Sequence, residues 1–479
     1  MRAIRCSRPA LTSHTSDNPH MRIMHSRIWL VSCALLAACA TPAHTLKLDE
    51  VNASGPLVLE SADGPLSTER SRAIVTALAK DSGANDILLR HLAVEQAITE
   101  SPLVVGNKLT LLRDGPATYK SMYQAISAAT NSINIEVYIL ENDDMGRQLV
   151  DVLVARQESG VQVNLIYDSI GSMHTPSELF TRLTDAGAKV VEFNPVNPAK
   201  ARKDWIVDHR DHRKLTIVDG QIAFTGGINF SSVYSGGSFS RPKRTPGPDK
   251  VPWRDTQVRI EGPVVAEFQK LFLETWEKQK GDPLPPKRYL AHIDRKGDQI
   301  VRAVGSTPDS RISILHTTLL SAIANAERSI HLTNAYFVPD QQLLDQLKAA
   351  ARRGVDVKLL LPGRTDFWAP LYAGRSHYSD LLKAGVKIYE RQDALLHAKT
   401  AVIDGVWSTV GSSNLDPRSF GTNDEIDAIV LGEDFAGQME AMFLGDIAEA
   451  TAVTPERWAH RGLGTRVKES AARLLERWL

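Results

Sequence analysis

The chain has 479 residues, 56 basic and 56 acidic side chains, and 43% hydrophobic residues. That length holds two or three domains, each able to bury its own core, and the composition excludes both a disordered chain and a many-span membrane protein. Balanced charge argues against a dedicated nucleic-acid binder, which needs a basic excess, so no nucleic-acid partner is expected.

Cys6, Cys33 and Cys39 all stand near the start of the chain. The body therefore has neither a disulfide framework nor a thiolate metal site, and its chemistry has to come from His, Lys, Asp and Glu. Arg22, His25 and Arg27 precede an apolar run over residues 28–38, too short to span a bilayer and laid out like a secretory signal. Residues 1–20 are polar and contain Pro9 and Pro19, which points to Met21 or Met24 as the true start. Leu36-Ala37-Ala38-Cys39 resembles the bacterial lipoprotein signal; Cys39 would then be the lipidated first residue of the mature protein, held at a membrane surface rather than through it. Ala40 is not acidic, which favours the periplasm-facing side of an outer membrane over the inner membrane.

Residues 40–104 read as a turn-rich linker followed by a small helical preface, capped by Ser67 and broken near Ser82-Gly83. A short strand is predicted over 109–112, then a helix over 117–129, a strand over 132–140, a helix over 147–157 and a strand over 161–167. The order returns as a helix over 317–326, a strand over 329–336, a helix over 341–352 and a strand over 354–361. Ser132-Ile133 matches Ser329-Ile330, and Ala186-Gly187 matches Ala384-Gly385, a spacing of roughly 190 residues that means a duplicated domain rather than a solenoid.

The expected fold is α/β: two tandem domains, 105–285 and 286–479, with mixed, mostly parallel sheets flanked by helices, paired as a pseudo-twofold dimer within one monomeric chain. Residues 235–251, rich in Gly, Ser, Pro, Lys and Arg, are an insertion in the first copy. The end of the chain, 467–479, reads as an amphipathic helix with Val467, Ala471, Leu474, Leu475 and Trp478 on one side, expected to pack on its own domain, with a lipid interface as the alternative.

The chemistry sits in a repeated pattern. His212-x-Lys214-x4-Asp219 leads to Gly226-Gly227-Ile228-Asn229, and His397-x-Lys399-x4-Asp404 leads to Gly411-Ser412-Ser413-Asn414. One such pattern arises by chance; two with matching sequels do not. Residues two apart on a strand share a face, so each His projects beside the Lys of its own copy, a pairing suited to an anion.

The run Asp208-His209-Arg210-Asp211-His212 suggests a metal, but a fixed Lys beside it repels a divalent ion and His209 has no counterpart in the second copy, so no metal or cofactor is expected. The preferred chemistry is phosphoryl transfer, with Lys214, Lys399, Asn229 and Asn414 holding phosphate oxygens beside Gly227 and Ser412. One His attacks phosphorus, His212 being preferred, and the other serves as general acid and base. Asp255 and Glu425, in Trp253-Arg254-Asp255 and Asn423-Asp424-Glu425, are the candidates to orient the imidazoles. Asp219 and Asp404, counted with the catalytic motif, close the strands before Gly220 and Gly405 and read more simply as turn anchors.

On these residues the chain resembles the phospholipase D superfamily over roughly residues 105–450, and within it the bacterial cardiolipin synthases. The resemblance implies a phosphatidyl-histidine intermediate, no metal, and transfer of a phosphatidyl group from one phosphatidylglycerol to another at a membrane surface. The apparent lipoprotein signal departs from the family's usual start. Hydrolytic phospholipase D or nuclease activity is the first alternative, and an inactive lipid-binding protein the second.

Overall fold

The computed structural model describes residues 48, 51, 53, 55–84, 87–200, 206–236, 251–284, 289–290, 292–310, 312–476 and 479. Cys39 with the whole signal segment, nearly all of the 235–251 insertion, and Trp478 lie outside the described residues.

Two hairpins set the topology. The strands Lys214–Val218 and Thr400–Ile403 each turn straight back into a second strand, Ile222–Gly226 and Trp407–Gly411. Their turns are Asp219-Gly220 and Asp404-Gly405, with φ of 54°, 65°, 53° and 65°. Successive positive φ angles define a type I′ turn, which Asp-Gly adopts with little strain and whose twist suits a hairpin. Each Asp also pegs its turn to the start of the neighbouring strand. Asp219 accepts from the N–H groups of Thr130, Asn131 and Ser132, and Asp404 from those of Glu327, Arg328 and Ser329.

The two halves repeat one strand order. In the first it runs Lys189–Phe193, Gln162–Asp168, Ser132–Val137, Lys214–Val218, Ile222–Gly226, Thr256–Glu261, Leu103–Arg113. In the second it runs Lys387–Arg391, Asp356–Pro362, Ser329–Thr333, Thr400–Ile403, Trp407–Gly411, Asn423–Leu431, Gln299–Ser306. Leu103–Arg113 and Gln299–Ser306 then pair antiparallel and join the halves edge to edge. The sheets are mixed, as expected, but not mostly parallel: only the three outer strands of each half run parallel, joined by helical crossovers. Tight hairpins make the rest antiparallel, since two-residue turns connect only antiparallel neighbours.

One apolar cluster fills each half, and a third, containing Val104, Ile217, Val258, Val301, Val410 and Ile426, draws on both. The helical preface, Thr68–Ser82, is capped by Ser67, whose hydroxyl accepts from the Arg70 N–H, and stops at Gly83 in the left-handed conformation. It is not a separate appendage, because Val75, Ala79 and Leu88 share the core of the second half. Glu95 in the next helix meets Arg302 at 3.0 Å with both side chains fully buried. Arg302 and His91 outweigh burial and hold the Glu95 carboxyl below its usual range.

The last helix, Leu463–Arg473, corrects the expectation for the chain's end. Its apolar side does not pack on the domain: Val467 is 67% and Leu474 82% exposed, whereas Glu469 and Ala472 are buried.

Removing one partner of a buried ion pair strands the other. Glu95→Ala is therefore expected to cost about 3–5 kcal/mol, read as a lower urea midpoint at unchanged slope, and Glu95→Leu with Arg302→Met to recover most of that loss.

Candidate active site

Each histidine is seated by the opposite half. Arg210-Asp211 pairs in parallel with Asn423-Asp424, and Leu395-Leu396 with Trp253-Arg254. The ladders continue into the histidines: the His212 N–H donates to the Asp424 carbonyl at 2.9 Å, and the His397 N–H to the Arg254 carbonyl at 2.8 Å. The next residue in each partner strand is a carboxylate. Glu425 lies 3.0 Å from His212 Nδ1, and Asp255 lies 2.7 Å from His397 Nδ1. The orienting acids serve across the pseudo-dimer rather than within their own copy. A proton on Nδ1 satisfies each carboxylate and leaves the Nε2 lone pair of each ring for chemistry.

Both rings open on one cavity of ≈ 490 Å³, lined also by Asn229 and Asn414, by Arg210 and Arg418, and by Tyr138, Tyr234, Trp253 and Tyr336. Lys214 Nζ lies 2.5 Å from the His212 carbonyl, and Lys399 Nζ 3.0 Å from His397 Nδ1. Placing both ammonium groups in a buried site is costly, and burial pushes Lys214 down to about 7 and Lys399 to about 8. Burial, then Lys214 and Lys399, hold His212 well below the usual imidazole range. His397 is lowered by burial and by Lys399, with Asp255 opposing. Burial raises Glu425 to about 7 against the pull of Lys214. Two lysines, two imidazoles of lowered pKa and two carboxylates thus gather beside one cavity, a combination suited to a phosphodiester anion under nucleophilic attack.

Residues 122–235 and 319–447 match the family model described as cardiolipin synthase, PLD-like domain. A cardiolipin synthase of Geobacillus sp. (strain WCH70) is 34% identical over 390 residues, covering 80% of this chain and 75% of that protein. A cardiolipin synthase of Alkalihalophilus pseudofirmus is 32% identical over 398 residues, covering 83% and 76%. The chain belongs to the cardiolipin synthase family of phospholipase D-like proteins. Its fold is also that of the phosphatidylserine synthase of Haemophilus influenzae Rd KW20, at a TM-score of 0.59 and 12% identity, covering 81% of this chain and all of that one.

Within this cardiolipin synthase-family site, not every residue of the repeated motif faces the cavity. Asp219 and Asp404 are spent on backbone N–H groups at the hairpin turns, so they are anchors and not catalytic groups. Gly227 and Ser412 do not hold phosphate. The Gly227 N–H donates to the Thr256 carbonyl, and a Cβ there would lie 2.2 Å from the Asp255 carboxylate, so the glycine makes room for the orienting acid. The Ser412 hydroxyl donates to Glu425 at 2.5 Å, joined by that of Ser419 at 2.6 Å.

Asn229 and Asn414 do reach the cavity. The Asn229 amide is already engaged by the Ile139 N–H and the Tyr234 hydroxyl, whereas Asn414 Oδ1 has no hydrogen-bond partner among the described residues. The supposed metal run disperses, with His209 on Asp424 at 2.8 Å, Asp211 on the Arg213 N–H and His212 on Glu425.

Sequence reasoning passed over the aromatic wall. Tyr138 meets the His212 ring edge-on at 5.1 Å, and Trp253 and Tyr234 lie 5.1 and 5.9 Å from the His397 ring. A signal existed, since a tyrosine follows the strand Ser132–Val137 in one half and Ser329–Thr333 in the other, at Tyr138 and Tyr336. Arg418, four residues after Asn414, also lines the cavity and bridges to Asp208 at 3.2 Å.

These shifts give a signed pH dependence. His212 is needed neutral, and its lowered pKa places the acid limb of kcat/KM below 6.5. The lysines are needed charged, so activity is expected to fall as pH rises through about 7 to 8. A profile on a soluble phosphodiester checks both limbs. The alkaline limb of kcat should lie higher than that of kcat/KM, because a bound anion favours the ammonium form.

Proposed function

We propose that the chain is a phosphatidyltransferase of cardiolipin synthase type that works on phosphatidylglycerol through a phosphohistidine. The observation that carries this reading is the pair of imidazoles lining one cavity, each held at Nδ1 by a carboxylate of the other half. His212 Nε2 attacks phosphorus; the bond from phosphorus to the leaving glycerol oxygen breaks, and His397, entering this step as the imidazolium that Asp255 favours, gives its Nε2 proton to the departing glycerol. A hydroxyl of a second phosphatidylglycerol then gives its proton to His397 and attacks the phosphohistidine, which restores His212 and yields cardiolipin. His212 is assigned the attack because burial and both lysines lower its pKa, whereas at His397 Asp255 opposes the lowering and favours the proton-carrying form. Lys214, Lys399 and Asn414 would hold the phosphate oxygens.

Transfer rather than hydrolysis is supported by the relatives' shared name and by the wall of Tyr138, Trp253, Tyr336 and Phe367, which limits water around the intermediate. The anchor belongs to the same proposal: Cys39 lipidated, and the enzyme on the periplasmic side of the outer membrane. Its support is the sequence of the signal segment. Among the described residues no helix is long and apolar enough to cross a membrane.

Purified protein incubated with phosphatidylglycerol is expected to release one glycerol per cardiolipin formed; phosphatidic acid in place of cardiolipin would overturn the transferase reading. With a phosphodiester whose leaving group needs no protonation, His397→Ala should still give a burst of phosphorylated enzyme while losing turnover by about 10²–10⁴-fold, and His212→Ala should give no burst. The mass of the mature N-terminus decides the anchor, an unmodified and uncleaved Cys39 being the contrary result.

A further inference from the structure

The helix Leu463–Arg473 sits on the protein the wrong way round for a soluble domain. Residues three or four apart share a face. On one face Glu469 and Ala472 are buried, and this face continues to Glu476. Glu469 pairs with Arg461 at 3.0 Å and Glu476 with His377 at 2.7 Å, so the acids of this segment point inward. On the opposite face Leu463, Val467 and Leu474 are 79%, 67% and 82% exposed, with Ala471 among them. Exposed Arg466, Lys468 and Arg473 flank that stripe. Folding normally buries an amphipathic helix's apolar side. Here ion pairs hold the polar side down and present the apolar one.

The helix is tied to the mouth of the active site through its buried face. Ala472 packs on Ala369 and Ala373 of the helix Trp368–Ser376, and Leu479 joins the same cluster. At the start of that neighbouring helix, Phe367 and Trp368 are each 50% exposed, and Phe367, Pro370 and Leu479 line the catalytic cavity. An outward apolar stripe, basic flanks and a half-exposed Trp beside the opening have the layout of an interfacial membrane helix.

We infer that the Leu463–Arg473 helix, with Phe367 and Trp368, is the surface by which the enzyme docks on an anionic phospholipid bilayer, turning the cavity mouth toward the leaflet. The occupant is a lipid surface rather than a protein because the charges flanking the helix stripe are basic, Asp366 at the cavity edge being taken up by the Tyr336 hydroxyl at 2.7 Å, and because the helix is tied through Ala472 and Leu479 to the opening through which a phospholipid would enter. The inference rests on the proposed lipid substrate for its purpose, not for its geometry.

The test uses the full chain with Cys6, Cys33 and Cys39 replaced by Ser, so that a lipid anchor cannot do the docking. An environment-sensitive fluorophore on Val467→Cys or Leu474→Cys is expected to shift to the blue, and to be quenched by doxyl-labelled lipid, on vesicles of phosphatidylethanolamine and phosphatidylglycerol. The response should be weaker on phosphatidylcholine alone, and the same label on Glu456→Cys should not respond. A label that stays in water on vesicle-bound protein overturns the inference. So does a label shielded without lipid at doubled mass, which would make the occupant a second copy.

In the unlabelled chain, Val467→Asp with Leu474→Asp is expected to lower turnover of phosphatidylglycerol vesicles by roughly tenfold or more, as loss of two apolar contacts with the leaflet requires. Turnover of a water-soluble short-chain phosphatidylglycerol should not change. Equal losses on both substrates, or no loss on vesicles, count against docking. Absence of turnover on either substrate in the unsubstituted protein would sink the catalytic reading and leave the fluorophore result standing.

Discussion

The contact on which the site depends is the crossing of two carboxylates: Glu425 to His212 and Asp255 to His397, each reaching from one half into the other. Neither half contains a complete catalytic histidine. The short parallel pairings that bring Asp424 and Arg254 alongside the histidines are backbone ladders, and their register leaves little freedom in where the following carboxylate lands. Joining the halves edge to edge through Leu103–Arg113 and Gln299–Ser306 fixes that register, so the architecture of the duplicated sheet and the chemistry of the site are one constraint.

The same constraint explains the electrostatics. Two lysines, two imidazoles and two carboxylates are buried together, and burial shifts the lysines and histidines down and Glu425 up, each toward its uncharged form. Burial without a bound anion is therefore strained, and a phosphodiester supplies the missing charge. A site arranged this way binds an anionic substrate partly by relieving its own desolvation, with the lysines as its source of positive charge.

Much of this was legible in the sequence. The His-Lys spacing, its duplication and the strands beneath it are local properties, and a strand's alternation is enough to place Lys beside His. The identity of Asp255 and Glu425 was readable because each is an acid near the start of the strand that follows its glycine turn, the 235–251 insertion lengthening the first connection. Their crossed pairing was not, since it depends on contacts between residues 142 and 213 positions apart. Gly227 and Ser412 were misread for a related reason. A glycine or serine near a phosphate motif suggests a cradle, but these two sit one layer behind the histidines, against the acids. The balance of parallel and antiparallel strands failed where helix–strand alternation was extended past the Asp-Gly turns. The direction of the last helix was set by two ion pairs that no hydrophobic pattern reveals.

Fusion of the two copies also allows them to differ, and one difference falls beside the orienting acids. Gly227 and Ser412 occupy the same position in the two turns. Gly227 lies against the shorter acid, Asp255, where any Cβ would collide with the carboxylate; Ser412 lies against the longer acid, Glu425, and donates a hydrogen bond to it. Turn residue and acid are thus matched within each half. The consequence is chemical: two hydroxyls, Ser412 and Ser419, donate to the Glu425 carboxylate and share it with His212, whereas among the described residues Asp255 takes the Thr256 N–H and His397. Two near-identical motifs thus hold their histidines through differently loaded carboxylates, and that asymmetry is the structural ground on which the proposed division of labour between His212 and His397 rests.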